Sequence, residues 1–221
     1  MVVADVDDDR GPQTVGLIER AGGHGVFVHC DVSRSTDCAA AVAAATKTWG
    51  RLDAAFNNAG VEGVSQPCAD YPEEAFRRVI DVNLTGQFLC MKHEIPALIA
   101  AGGGAIVNCA SILGRVGFAN ASAYVAAKHG LIGLTKTAAI EYATKGVRVN
   151  AVCPGFIETP MLERAGLLAD PALRSVIEGL HPMKRLGTAE EIAGAVLYLC
   201  SPRATFVTGQ ALLVDGGFVA Q

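Results

Sequence analysis

Ala105-Ile-Val-Asn-Cys109-Ala-Ser111, followed thirteen residues later by Tyr124 and four after that by Lys128, is the stretch on which the reading of this chain turns. Residues 105–109 form an apolar run of strand character, and a helical pattern begins at about residue 122. Four residues is slightly more than one helical turn, so the Tyr124 phenol and the Lys128 ammonium project from one face. A phenol is a poor acid–base group at neutral pH, with an ordinary pKa of about 10. A cation held beside it favours the phenolate and lowers that value toward the working range. Ser111, arriving from the strand end, is placed to hold a substrate oxygen while tyrosine gives or takes its proton. Tyr-x-x-x-Lys by itself usually marks a solvated helix face. With Ser111 in place it predicts oxidoreductase chemistry at an alcohol or carbonyl carbon.

Outward from this segment, strand-like and helix-like patterns alternate. Strands are predicted at 2–5, 25–29, 54–57, 105–109, 147–153 and 211–214. Helices are predicted at 11–21, 35–49, 73–100, 122–144 and 189–199. The helix over 35–49 has apolar positions 38, 42, 45 and 49, and that over 73–100 places Phe76, Ile80, Leu84, Phe88 and Met91 on one side. Thr188-Ala-Glu-Glu191 is a capping box opening the last helix. Such alternation predicts an α/β fold, a parallel sheet with helices on both faces. Without repeats, low-complexity tracts or linkers, residues 1–221 read as one domain, with a less regular region at 156–186.

Composition narrows the function classes. Hydrophobic residues make up 51% and charged residues 18%, which fits a soluble chain rich in buried strands. A net charge of −4 argues against nucleic acid and anionic membrane as partners. The seven cysteines (30, 38, 68, 90, 109, 153 and 200) show no Cys-x-x-Cys or Cys/His cluster and lie mostly in apolar segments. They read as buried thiols in a reducing, cytoplasmic compartment, with no disulfide framework and no metal site. The start turns acidic at Asp5, unlike a signal peptide. The uncharged stretch 95–114 is broken by Pro96, by the glycines at 102–104 and by Asn108, so it is not a membrane span.

Further motifs stand in order around Tyr124. Asn57-Asn58-Ala59-Gly60 ends the strand that contains Phe56, Asn83 lies in Val82-Asn83-Leu84-Thr85-Gly86, and Pro154-Gly155 closes the strand at 147–153. With these, the chain resembles the short-chain dehydrogenase/reductase family of the classical type, from residue 2 to about residue 219. The resemblance implies a doubly wound, Rossmann-like parallel sheet and a nicotinamide cofactor. It implies Tyr124 as general acid–base and Lys128 as the group that lowers its pKa and holds the nicotinamide ribose hydroxyls. Ser111 would position the substrate oxygen, although the family usually has two serines where this chain has Ala110-Ser111. Asn83 would anchor a proton-relay water; alternatively it is polar glue between helices.

The cofactor residues follow from the same likeness. Asn57, Asn58, Ala59 and Gly60 would bracket the adenosine ribose and pyrophosphate. Asp31 and Val32 would meet the adenine edge, unless Asp31 only caps the helix that follows. Pro154, Gly155, Ile157 and Thr159 would line the nicotinamide. Asp5 would accept from the adenosine ribose hydroxyls and, with Asp7, Asp8 and Asp9 nearby, repel a 2′-phosphate, so NAD is favoured over NADP.

The family's first strand and its Thr-Gly-x-x-x-Gly-x-Gly turn have no counterpart in this sequence. Gly22-Gly23-His24-Gly25 follows a helix and precedes a strand, the reverse of the required context, and reads as a helix stop. In a sheet ordered 3-2-1-4-5-6 that strand is central. Its loss would leave two edges whose unpaired backbone groups cost roughly 1–3 kcal/mol each if buried. The expectation is therefore a fold lacking its first strand and glycine-rich turn, with a longer functional chain behind it. The region 156–186 would be a substrate lid, apolar through Phe156, Met161, Leu162, Leu167, Leu168 and Met183, with Glu62 and His181 as polar exceptions. An apolar or cyclic secondary alcohol or ketone fits such a lid, and the long helices at 73–100 and 122–144 commonly pair into a homotetramer in this family. The alternative is a catalytically inactive remnant serving as a subunit or binding module, because the pyrophosphate cradle is missing.

Overall fold

A computed structural model describes residues 1–164, 166 and 169–221; Leu167 and Leu168, expected in the lid, lie outside the described residues. The elements run β1 (Val2–Asp5), α1 (Arg10–Arg20), β2 (Val26–His29), α2 (Ser35–Trp49), β3 (Ala54–Asn57), α3 (Glu73–Ile80), α4 (Gly86–Ala100), β4 (Gly104–Cys109) and α5 (Ser122–Tyr142). Then follow β5 (Val147–Pro154), α6 (Pro160–Arg164), α7 (Pro171–Gly179), α8 (Ala189–Cys200) and β6 (Ala211–Val214). Every ladder is parallel. The strands form two separate groups, β1-β2 and β3-β4-β5-β6, and β1 and β3 do not pair with each other.

The strand sequences explain the layering. In β4 and β5 most residues are buried and none is exposed, because helices cover both faces and polar alternation has no place. Ile106 and Val149 face Met91, Ile95 and Leu98 of α4 and Ala138 and Ala139 of α5. Their neighbours Val107 and Val152 point the other way, onto Ile192, Val196 and Leu199 of α8. Fully burying a side chain such as Leu98 or Ile106 contributes about 1.5–3 kcal/mol. Helix α2 joins the two strand groups: it packs on β1 and β2 and also against α4. There Ser35 Oγ lies 2.9 Å from His93 Nε2, and Cys38 Sγ lies 3.7 Å from Cys90 Sγ.

Some predicted elements change form. The helix expected over 73–100 is interrupted by a π-helical turn, Asp81–Thr85, between α3 and α4. Beyond that turn Phe88 is exposed, and the buried stripe passes through Gln87, Met91, Glu94, Ile95 and Leu98. Pro96 lies inside α4 and does not end it. The helix from Ser122 stops at Tyr142 and closes with a 3-10 turn, and the irregular region 156–186 holds α6 and α7. Cys68 is exposed, unlike the other cysteines. The glycines after α1 do stop that helix, with Gly22 at φ 82° and Gly23 N–H donating to Ile18 O. The capping box of α8 is complete: Glu191 N–H donates to Thr188 Oγ1, and Thr188 N–H to Glu191 Oε2.

Candidate active site

The chosen residues gather at the carboxyl ends of parallel strands, where a sheet of this kind opens a crevice. Asp5 ends β1, Asp31 follows β2, Asn58 to Gly60 follow β3, Ser111 follows β4, and Pro154 ends β5. Ser111 is held by local chemistry. Its hydroxyl accepts from Leu113 N–H at 3.1 Å, which opens a 3-10 turn over Ile112–Gly114. That turn lies directly on α5, because a Cβ at Gly114 would stand 2.8 Å from the Lys128 carbonyl oxygen. The close approach brings the Ser111 hydroxyl near enough to the Tyr124 phenol to favour its ionised form.

Lys128, one turn further along α5, is 2% exposed. Its ammonium donates to the Cys109 carbonyl at 2.6 Å and lies 5.4 Å from the centre of the Tyr124 ring. Asn83 is completely buried on the π-helical turn. Its amide is consumed by one backbone: Oδ1 accepts from Val61 N–H and Nδ2 donates to Val61 O, each at 2.8 Å. Gly60 completes the group. A Cβ there would sit 3.4 Å from Asn83 Oδ1 and 3.8 Å from Lys128 Nζ. A π-turn shifts helix register by one residue and often marks functional positions. Here it carries the asparagine that fixes the turn after β3.

The electrostatics correct one expectation. Burial, the largest influence, pushes the Tyr124 phenol well above its ordinary value; Cys109 and Glu62 add to the rise, and the nearby Ser111 hydroxyl opposes it. Lys128 is itself pushed down by burial, so its charge is disfavoured where the phenolate most needs it. The lysine lies 5.4 Å from the ring centre, and desolvation is the influence that dominates at the phenol. At neutral pH Tyr124 is therefore protonated, the form that donates to a carbonyl oxygen.

The cofactor candidates divide. Asp31 accepts through Oδ1 from Ser33 Oγ at 2.7 Å and Ser33 N–H at 3.0 Å, and these bonds hold its carboxyl below the ordinary range. It thus makes the local turn, with Oδ2 left over. Val32 packs on the start of α4, where a Cβ on Gly86 would meet Val32 Cγ2 at 2.7 Å. Asp5 is exposed and accepts from Asp7 N–H at 3.0 Å. Asp7 accepts from the Asp9 and Arg10 backbones, and Asp8 pairs with His29 at 2.8 Å, so much of the acidic cluster is already engaged. The Asn57 side chain does not face the crevice. It donates inward to Glu94 Oε2 at 3.0 Å and Asn108 Oδ1 at 3.1 Å, whereas Asn58 is exposed and Ala59 O accepts from Gln87. After β5, Gly155 N–H donates to Val214 O, and the Thr159 hydroxyl donates to Ile157 O at 3.2 Å. Sequence reasoning missed Glu94, a carboxyl buried on α4 whose pKa burial raises to about 7. Its position in the apolar face of a helix was the available signal.

The chain matches the family model described as Enoyl-(Acyl carrier protein) reductase over residues 1–219. It is 45% identical to a cyclohexanol dehydrogenase of Acinetobacter sp. (strain SE19), over all of this chain and 85% of that protein. The chain belongs to the short-chain dehydrogenase/reductase family. It is an oxidoreductase that interconverts an alcohol and a ketone. Among solved structures, an NAD+-bound xylitol dehydrogenase matches with a TM-score of 0.93 at 32% identity, covering 98% of this chain and 88% of that one. ElxO with NADP bound matches with a TM-score of 0.91 at 30% identity, covering 100% and 88%. These two neighbours carry different cofactors, so family membership does not choose between NAD and NADP. No described helix is long and apolar enough to cross a membrane.

Proposed function

We propose that this dehydrogenase acts on a secondary alcohol with an apolar or cyclic frame, or on the matching ketone, with NAD as cofactor and Tyr124 as general acid–base. The observation that carries the reading is the convergence of Ser111, Tyr124, Lys128, Asn83 and Gly60 at one end of the sheet. The residues suit the cofactor. The buried Lys128 ammonium has three N–H donors and one acceptor among the described residues, Cys109 O, which leaves donors for ribose hydroxyls. The missing Cβ of Gly60 leaves room beside it. Asp5, Asp31, Val32, Asn58, Ala59 and Gly60 would hold the adenosine side, and Pro154, Gly155, Ile157 and Thr159 the nicotinamide side. When bound, the nicotinamide supplies or accepts the hydride.

The chain's own residues supply position and a proton. Ser111 holds the substrate oxygen, and Tyr124 donates its proton to that oxygen in reduction and removes it in oxidation. Lys128 fixes the tyrosine ring and the end of β4 through the Cys109 carbonyl. Asn83 holds the turn after β3 against them. Exposed Asp5 supports NAD, because a 2′-phosphate beside it would meet like charge. Phe118 and Phe218, whose ring centres lie 6.2 and 6.1 Å from that of Phe156, support an apolar substrate, and the 156–186 region serves as its lid.

Three further features belong to this reading. A strand with a glycine-rich turn fits between β1 and β3, which the absence of pairing between those two strands supports. Exposed Phe88 on α4 and Ile140 on α5 support assembly into a homotetramer through those helices. Buried free thiols at Cys30, Cys38 and Cys153 support a reducing, cytoplasmic setting. The test is turnover on a panel of cyclic and acyclic secondary alcohols, with NAD and with NADP. Tyr124→Phe is expected to lower kcat by roughly 10²–10⁴-fold while NADH binding stays as it was. Equal turnover by the variant would remove Tyr124 from the chemistry.

A further inference from the structure

The imidazole of His181, 2% exposed, has both nitrogens committed. Phe156 N–H donates to Nε2 at 3.2 Å, so Nε2 carries a lone pair. Nδ1 must then carry the proton, and it donates to Ile177 O at 2.9 Å. One neutral tautomer satisfies both bonds. Phe156 and Phe218 flank the ring, with centres 5.7 and 5.6 Å away. A Cβ on Gly155 would stand 3.0 Å from Nε2, so the backbone passes close against the imidazole. His181 thus ties the end of α7, at Ile177, to the segment after β5, at Phe156.

We infer that His181 is a positioning residue that sets the backbone of Gly155, Phe156 and Ile157 and, through it, the nicotinamide side of the cofactor site. The consequence for the cofactor rests on the function proposed above; the consequence for the backbone does not. Phe156 N–H, in a half-buried segment, has its acceptor in His181, and an amide turned away from water without an acceptor is costly. Neighbouring bonds hold the rest of the segment: Gly155 N–H to Val214 O, and Gly187 N–H to Phe156 O. Loss of the imidazole acceptor therefore leaves the Phe156 N–H unpaired and the residue held through its carbonyl alone.

Two substitutions separate the halves of the ring. His181→Gln reaches as far as Nε2 and can still accept from Phe156. His181→Asn reaches only as far as Nδ1 and keeps at most the Ile177 contact. Peptide-level hydrogen exchange over 155–158 reads the backbone without cofactor, and steady-state kinetics read the site. Expected is at least roughly tenfold faster exchange at Phe156 in His181→Asn, with β4 unchanged, a cofactor KM raised by a similar factor, and recovery of both in His181→Gln. Unchanged exchange in His181→Asn, or a glutamine variant no better than the asparagine one, overturns the assignment. If exchange responds as expected while the wild type binds no nicotinamide cofactor, the positioning of 155–157 stands and the proposed function falls.

Discussion

Glu94 offers the sharpest test of the packing. Its carboxyl lies in the face of α4 turned to the sheet, and Asn57 Nδ2 is its one hydrogen-bond donor among the described residues. Burial raises its pKa from 4.5 to about 7, with the Asn57 hydrogen bond opposing. In the unfolded chain the group titrates near the lower value, so between the two the folded state holds a proton that the unfolded state has lost. Stability from this group is complete below about 4.5 and falls as pH rises through about 7. The difference of about 2.5 pH units corresponds to roughly 3 kcal/mol. Glu94→Gln keeps an acceptor for Asn57 and never ionises. The stability of the variant relative to wild type, from urea unfolding at a series of pH values, is expected to rise by roughly 2.5 kcal/mol between pH 5 and pH 8. Titrations elsewhere cancel in the difference. A flat difference across that window, or one that falls with pH, would show that Glu94 is solvated or paired and that the buried Glu94–Asn57–Asn108 contacts are misread.

Because burial holds Tyr124 protonated, alcohol oxidation is expected to speed up as pH rises into the alkaline range, while ketone reduction stays level with respect to this group; pH profiles of kcat/KM in both directions check this. Asp5→Asn is expected to improve NADP use on the order of tenfold with a smaller change for NAD, measured as the ratio of kcat/KM for the two cofactors. Gly104→Ala would place a Cβ 2.4 Å from Asp53 O and 2.5 Å from Leu98 Cδ2. Overpacking of this kind costs roughly 1–3 kcal/mol and should appear as a lowered Tm, with no effect on catalysis per folded molecule.

The strands and the helices beside them were readable because apolar runs and the 3.6-residue period report burial directly. Helix α2 and the strands at 2–5, 54–57 and 211–214 fall where those patterns put them, and Thr188 and Glu191 form the box their spacing implies. The π-turn was not read, although Phe76, Ile80, Leu84 and Phe88 recur at steps of four, wider than an α-helix repeats. Treating that run as one helix put Phe88 inside, where the structure puts Gln87. The site's membership could be listed from spacing, but its electrostatics could not. Whether a lysine acidifies a neighbouring phenol depends on how much water both lose, and that is set by elements distant in sequence, such as the 3-10 turn lying on α5. Asn57 shows the same limit: alternation along β3 decides which of two adjacent asparagines enters the core, and its contacts with Glu94 and Asn108 appear only when the helix and the next strand are in place.

The extra residue stored at Asp81–Thr85 makes the length of that segment as constrained as its composition. Removing one residue there would let the helix close as a regular α-helix with α4 facing the sheet as before, because the wider turn absorbs about one residue's worth of rotation. Glu94, Met91, Ile95 and Leu98 would keep their places, while Asn83 would shift and Val61 would lose its clamp. A single-codon deletion there would spare the packing and strike the site, so insertions and deletions should be scarcer at this turn than in the surface loops on either side.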